Sequence, residues 1–148
     1  MKIAVACDHG GFSLKNTIIE TIKDLGHEPI DLGTNNTERV DFPDFAEKAG
    51  REIQVGNAER GIIICGSGVG ACIAANKMKG IYAGICHDTY SAHQGVEHDN
   101  MNVLCLGGRI IGEELAKEIV TSFINARYLG TGNYVRRFNK IKAIEAKG

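Results

Sequence analysis

The residues able to do chemistry fall into a few tight groups, and the densest is Ile64-Cys65-Gly66-Ser67-Gly68-Val69-Gly70. A thiol stands at the mouth of a glycine loop, and a hydroxyl follows two residues later. Successive backbone N–H groups leading into a helix N-terminus form a ready site for an anion or a developing oxyanion. A thiol in that setting can titrate well below its usual value of about 8.5. Cys65 is then suited to act as a nucleophile, which needs a leaving group and usually a histidine partner, or as a general base, which needs only a substrate proton in reach. Spacing alone leaves both open. The loop does not match a dinucleotide fingerprint: its last glycine comes one residue early, it follows the third apolar run rather than the first, and no acidic residue closes the next run. No Gly-Lys-Ser/Thr follows, so it is not a Walker loop either.

Histidines form the second group: His9, His87, His93 and His98, interleaved with Asp8, Asp88 and Asp99. The intervals of six and five residues between His87, His93 and His98 match no standard ligand spacing on one helix, so a metal site is not expected. His98 is suited to act as an acid on a neighbouring oxygen, whereas His93 reads as a helix-face residue and His27 as a surface loop residue. The third group is basic: Arg136, Arg137, Lys140 and Lys142 near the C-terminus. Such a run is usually a solvated helix face. Its functional alternative is phosphate capture by guanidinium forks.

These groups must be positioned by a scaffold, and the apolar pattern predicts one. Short β-branched runs recur at 3–7, 28–33, 61–65, 82–86 and 102–107, and continuous runs such as Ile62-Ile63-Ile64 suit strands covered on both faces. Between them lie helical patterns. Leu14, Ile18, Ile22 and Leu25 share one stripe, with Gly26 as its C-cap. Leu115, Ala116, Ile119, Val120, Phe123 and Ile124 make another over 113–127. Pro43 marks a helix start, and the segment from Asn133 to the C-terminus reads as a last helix with Val135, Phe138, Ile141 and Ile144 apolar. Five strands alternating with helices predict an α/β fold with a parallel sheet. Ligands bind at the carboxyl ends of such strands, which is where Asp8-His9, the Cys65 loop, His87-Asp88 and Gly107-Gly108-Arg109 fall.

The chain has 148 residues, 43% of them apolar and 24% charged, with a formal net charge of −1. That length suits one domain, 1–148. The charge balance offers no footprint for nucleic acid, and no apolar run approaches the roughly 20 residues of a membrane span. The five cysteines are odd in number and contain no Cys-x-x-Cys pair, so neither a disulfide framework nor a zinc site is expected. Cys7, Cys86 and Cys105 read as small buried hydrophobes. The N-terminus reads as a first strand rather than a signal peptide, which points to the cytoplasm.

Read in order, Cys7-Asp8-His9-Gly10-Gly11, Val40-Asp41-Phe42-Pro43-Asp44-Phe45-Ala46, the Ile64–Gly70 loop with its following Ile73-Ala74-Ala75-Asn76-Lys77, the stretch from Glu97 to Gly112, and the closing Arg136–Glu145 segment resemble the ribose-5-phosphate isomerase type B family. That family includes the galactose-6-phosphate isomerase subunits and allose-6-phosphate isomerases, and the resemblance runs over essentially the whole chain. It implies a three-layer α/β/α sandwich on a five-stranded parallel sheet, Rossmann-like in build. It implies a homodimer, sometimes paired into a tetramer, with active sites shared between subunits and the last helix (about 133–146) reaching the partner. It implies a sugar phosphate as substrate, interconverted between aldose and ketose through a cis-enediolate without metal or cofactor. By the same resemblance Cys65 is the base that moves a proton between C1 and C2, and Ser67 is the hydroxyl that assists at the adjacent oxygen. Gly66, Gly68, Val69 and Gly70 supply amides to the enediolate. Asp8 holds substrate hydroxyls, His98 opens the sugar ring, and His9, Arg109 and Arg137 meet the phosphate.

Four positions depart from the family pattern. Phe42 stands where tyrosine is common, and Asp99 where asparagine usually follows the ring-opening histidine. Asn133-Tyr134 replaces an arginine–histidine pair. Arg136 is the residue available to compensate for the missing guanidinium. Proton transfer is therefore better supported than the identity of the sugar, with ribose 5-phosphate expected and allose 6-phosphate, galactose 6-phosphate or a tetrose phosphate as competitors. Two other classes compete: a non-catalytic sugar-phosphate-binding subunit, which the presence of both Cys65 and His98 opposes, and a thiol hydrolase, which predicts covalent trapping at Cys65.

Overall fold

The computed structural model describes residues 1–148. Five strands, β1 (Lys2–Cys7), β2 (Glu28–Asp31), β3 (Arg60–Cys65), β4 (Ala83–Ile85) and β5 (Val103–Gly107), form one sheet in the order β2-β1-β3-β5-β4. Every pairing is parallel. The helices are α1 (Phe12–Asp24), α2 (Phe42–Gln54), α3 (Val69–Ala75), α4 (Thr89–Asp99), α5 (Glu113–Asn125) and α6 (Gly132–Lys147). The expected sandwich is therefore present.

Its layers follow from side-chain alternation along the central strands. Ile3, Val5, Ile62, Ile64, Leu104 and Leu106 face a core completed by α1, α4 and α5. Ala4, Ala6, Ile63, Cys65, Val103 and Cys105 face the other side, against Ala46 and Ala49 of α2 and Ala71 and Ala75 of α3. Small residues on that second face let α2 and α3 sit close to the sheet. On the first face Ile119, Phe123 and Ile124 are fully buried, each worth about 1.5–3 kcal/mol. Leu115, expected in the same stripe, is instead 38% exposed. Cys7, Cys86 and Cys105 are buried as expected.

Helix boundaries have local causes. Pro43 lies in the first turn of α2, where no intrahelical N–H is needed. Leu25 caps α1, and Gly26 after it, with φ of +84°, turns the chain toward β2. Helix α5 stops two residues earlier than its apolar pattern suggests, because Ala126 adopts an extended backbone. Three guanidinium contacts from Arg60, to the carbonyls of Phe123 (2.6 Å), Ile124 (3.3 Å) and Ala126 (2.7 Å), close off that end.

Helix α6 stands outside the sandwich and has no buried residue. Phe138 packs edge-on against Tyr82 with ring centroids 4.9 Å apart. Glu145 accepts hydrogen bonds from the Gly80 amide (2.5 Å) and the Tyr82 hydroxyl (2.6 Å). Ile141 and Ile144 remain exposed, as do Val69 and Ile73 on α3. No helix is long and apolar enough to cross a membrane.

Candidate active site

The chain runs from β1 outward to β2 and then back across β1 to β3, so a topological switch point lies between the carboxyl ends of β1 and β3. A crevice forms there because the connections leave in opposite directions. Asp8 and Cys65 are the residues at those two ends, one buried to 7% exposure and the other to 5%.

The sulfur of Cys65 points back into its own loop, and the Gly68 amide donates to it at 3.1 Å. That turn requires Gly68 in the left-handed region, with φ of +87°, and leaves no room beside Leu106 for a side chain. The Ser67 hydroxyl is exposed and accepts from the Val69 amide at 3.2 Å. The amides of Gly66, Ser67, Gly70 and Ala71 have no acceptor within the chain. A row of unsatisfied donors therefore lies beside a thiol, an arrangement suited to an oxyanion.

Neighbouring strand ends supply the walls. One carboxylate oxygen of Asp8 is committed to the amides of Gly10 (2.8 Å) and Gly11 (3.1 Å), which leaves the other oxygen for a ligand. The Val40 amide donates to His9 Nδ1 at 3.2 Å. A backbone N–H cannot act as acceptor, so the neutral His9 ring carries its hydrogen on Nε2. Arg109 follows β5, and its Nη1 lies 3.3 Å from where a Cβ on Gly66 would sit. The Phe42 ring closes over the far end of the loop, with Cζ 2.6 Å from a Cβ built on Gly70. Tyrosine would carry its hydroxyl on that atom, so Phe42 makes this wall apolar. The Gly107 amide donates to His87 Nε2 at 3.0 Å, so His87 is a support for the β5 turn.

The remaining residues expected at the site are elsewhere. Helix α4 starts after the carboxyl end of β4 and runs back toward the amino end of the sheet, bringing His98 and Asp99 to the end opposite Cys65. Gly61 pairs with Val103 and Cys65 with Gly107, so about 13 Å of strand separates the two groups, at roughly 3.3 Å per residue. Tyr134, in the first turn of α6, stacks on His98 with ring centroids 4.7 Å apart and planes 14° from parallel. Arg136 and Arg137, exposed on the next turn of α6, share that end of the molecule with His98. The expected site residues thus form two half-sites, one around Cys65 and one around His98.

Three contacts at these half-sites had no local sequence signal. Gln94 lies against both His98 and Asp99. Lys15, 6% exposed, donates to Asp31 (3.0 Å), the Thr34 carbonyl (2.7 Å) and Asn35 (2.8 Å), tying down the loop that leads to Val40. Cys72, one turn past the glycine loop, has its thiol lowered to about 7, chiefly by a hydrogen bond from Cys105 and against the effect of burial. No group of histidine, cysteine or acidic side chains is arranged to hold a metal ion.

Comparison with known proteins places the chain in a family. The ribose/galactose isomerase family profile matches residues 3–141. The chain is 44% identical over 146 residues to ribose-5-phosphate isomerase B of Escherichia coli K12, covering 99% of this chain and 97% of that one. It is 41% identical over 134 residues to a D-erythrulose-4-phosphate isomerase of Pectobacterium atrosepticum, covering 90% and 88%. The structure superposes on ribose-5-phosphate isomerase B of Clostridium thermocellum with a TM-score of 0.95 at 44% identity, covering 99% of each chain.

Proposed function

The chain belongs to the ribose/galactose isomerase family, and from that premise we propose that it interconverts ribose 5-phosphate and ribulose 5-phosphate through a cis-enediolate. The observation that carries this reading is the Cys65 thiol held beside four unsatisfied loop amides at the switch point of the sheet. An aldose is a weak carbon acid. Its C2 proton leaves only if a base is in reach and the charge that moves onto O1 is stabilised. Cys65 takes the proton from C2 and returns it to C1, and Ser67 passes the hydroxyl proton between O1 and O2. The free amides of Gly66, Ser67, Gly70 and Ala71 hold the negative charge. One such donor is typically worth roughly 3–4 kcal/mol, and a positioned base about 10²–10⁴ in rate. The free oxygen of Asp8 orients substrate hydroxyls, and His9 Nε2–H and Arg109 meet the phosphate.

A cyclic sugar must open before its C2 proton becomes acidic, and the imidazole assigned to that step, His98, lies at the far end of the same chain. The working site is therefore built from two copies, one supplying the Cys65 half and the other His98, Asp99, Arg136 and Arg137. Exposed apolar side chains on α3 and α6, Val69, Ile73, Ile141 and Ile144, support such a homodimer. The whole of 1–148 acts as one unit with α6 reaching the partner, and its free thiols suit the cytoplasm.

A second reading keeps the chemistry and changes the sugar. The apolar Phe42 wall, Asp99 beside His98, and Asn133-Tyr134 in place of basic residues all alter contacts to the sugar and phosphate. A tetrose phosphate or a hexose 6-phosphate is the competitor. Incubation with ribose 5-phosphate in D₂O, followed by NMR, tests both. Ketose formation with deuterium entering at C1 of the ketose, and at C2 of the ribose 5-phosphate re-formed from it, absent in Cys65→Ala, is the expected result. A folded protein that leaves ribose 5-phosphate untouched but converts erythrulose 4-phosphate would overturn the pentose assignment.

A further inference from the structure

We propose that Gln94 is a positioning residue that fixes the His98 ring in the tautomer with hydrogen on Nε2. The kinetic consequence rests on His98 opening the sugar ring, while the tautomer assignment stands on geometry alone. Gln94 and His98 lie one turn apart on α4, with Asp99 next in the chain. One end of the Gln94 amide lies 3.2 Å from His98 Nδ1 and 3.3 Å from Asp99 Oδ2. Only two orientations of that amide exist. With its oxygen turned inward, an acceptor would face the Asp99 carboxylate, which in its charged form has nothing to donate. With its NH₂ turned inward, each hydrogen has one acceptor: the carboxylate oxygen and the imidazole nitrogen. Asp99 therefore decides the orientation of Gln94. Gln94 in turn requires a lone pair on Nδ1, which leaves the hydrogen of the neutral ring on Nε2.

Tyr134 completes the arrangement. Its ring lies nearly parallel to the imidazole at 4.7 Å and covers one face, so the stack fixes the plane of the His98 ring and Gln94 selects which edge of it faces Asp99. Asp99 and Tyr134 are two of the positions where the chain departs from its family's common pattern, and here both act on the orientation of one imidazole.

The consequence is chemical. In ring opening the bond between C1 and the ring oxygen breaks, C1 becomes the aldehyde carbon, and the proton of the C1 hydroxyl ends on the former ring oxygen. An Nε2–H aimed at that oxygen donates a hydrogen bond as charge develops there, and the imidazole is returned unchanged. The opposite tautomer would present a lone pair to an oxygen that needs a donor.

The test uses intact protein with ¹⁵N-labelled histidine, recorded well above the ordinary imidazole pKa of about 6.5. His98→Asn identifies the His98 signals among the five histidines. Two-bond ¹H–¹⁵N correlations then read which ring nitrogen carries hydrogen. The expected result is Nε2–H in the wild type, a mixture in Gln94→Leu, and a shift toward Nδ1–H in Gln94→Glu, whose carboxylate accepts from that nitrogen. Hydrogen on Nδ1 in the wild type, or a tautomer unchanged in Gln94→Glu, would overturn the proposal. Turnover of ribose 5-phosphate should fall with the tautomer, by up to about tenfold in Gln94→Leu. If the spectra behave as expected but the wild type isomerises no sugar phosphate, the tautomer assignment stands and the isomerase reading fails.

Discussion

Cys65→Ala removes the proposed base at one end of the sheet, and His98→Asn removes the imidazole at the other. Each variant alone should be nearly inactive on ribose 5-phosphate. Loss of a positioned acid or base costs about 10²–10⁴ in rate, and this sugar is mostly cyclic and needs both groups. Because about 13 Å of β-strand lies between the two groups within one chain, no single copy assembles both around one sugar. In the proposed two-fold dimer each site would take one half from each subunit. A mixed dimer then carries one site with both lesions and one with neither. Random reassociation of equal amounts makes half of all molecules mixed, and half of their sites are intact. The mixture should therefore recover about one quarter of wild-type activity, and purified mixed dimers about one half. The assay is ketose formation after co-refolding of differently tagged variants, with native mass spectrometry to count mixed dimers. Mixed dimers present at the expected level but no more active than the parents would refute the shared site. Recovery would be equally absent if His98 served the Cys65 of its own chain, so the experiment addresses the topological argument directly.

Three further outcomes follow from single contacts. Lys15→Met should lower unfolding stability by about 1.5–3 kcal/mol, since it strips a buried charged donor from the buried Thr34 carbonyl and from the exposed Asp31 and Asn35 side chains; an unchanged urea midpoint would remove Lys15 as the anchor of the loop before Val40. Cys72, with a thiol near 7, should react with limiting iodoacetamide before Cys7 or Cys86, whose thiols burial pushes up to about 11; peptide mapping that finds Cys7 or Cys86 modified first would contradict this. The α6 clamp should be pH-dependent on both sides. The Tyr82 hydroxyl and the Gly80 amide hold the Glu145 carboxyl below its ordinary value, so its contribution is present above about pH 4.3 and is lost as pH falls further. Burial and then Glu145 itself raise the Tyr82 phenol to about 12, so that contribution is present below about pH 10 and is lost as pH rises toward 12. Hydrogen exchange in Gly132–Lys147 should therefore be slowest, after correction for intrinsic rates, between those limits, and Glu145→Gln should flatten the acid side.

Much of the scaffold was legible because its signals are local. A run such as Ile62-Ile63-Ile64 can only be buried on both faces, and the stripe Ile119-Phe123-Ile124 closes on itself within three turns of helix. Leu115 broke that pattern: it is 38% exposed, whereas Ile119 and Phe123 on the same helix are fully buried. The glycine loop was legible for the same reason, since the amides and the thiol that make the Cys65 half-site come from seven consecutive residues. Gln94 left no trace in the sequence. Its role depends on one amide meeting an imidazole and a carboxylate at once, and the residue type alone is equally suited to solvent.

The sequence by itself determined the layers, the strand ends and the chemistry of the Cys65 loop, all of which depend on neighbours a few residues apart. Only the tertiary structure decided where the second half of that chemistry sits. His98 stands near the start of the fifth strand in the chain, yet whether it reaches Cys65 depends on the direction in which α4 crosses the sheet. Parallel strands require each connecting helix to return to the amino end. That requirement carries His98 away from the thiol, and Tyr134 of α6 lies beside it there.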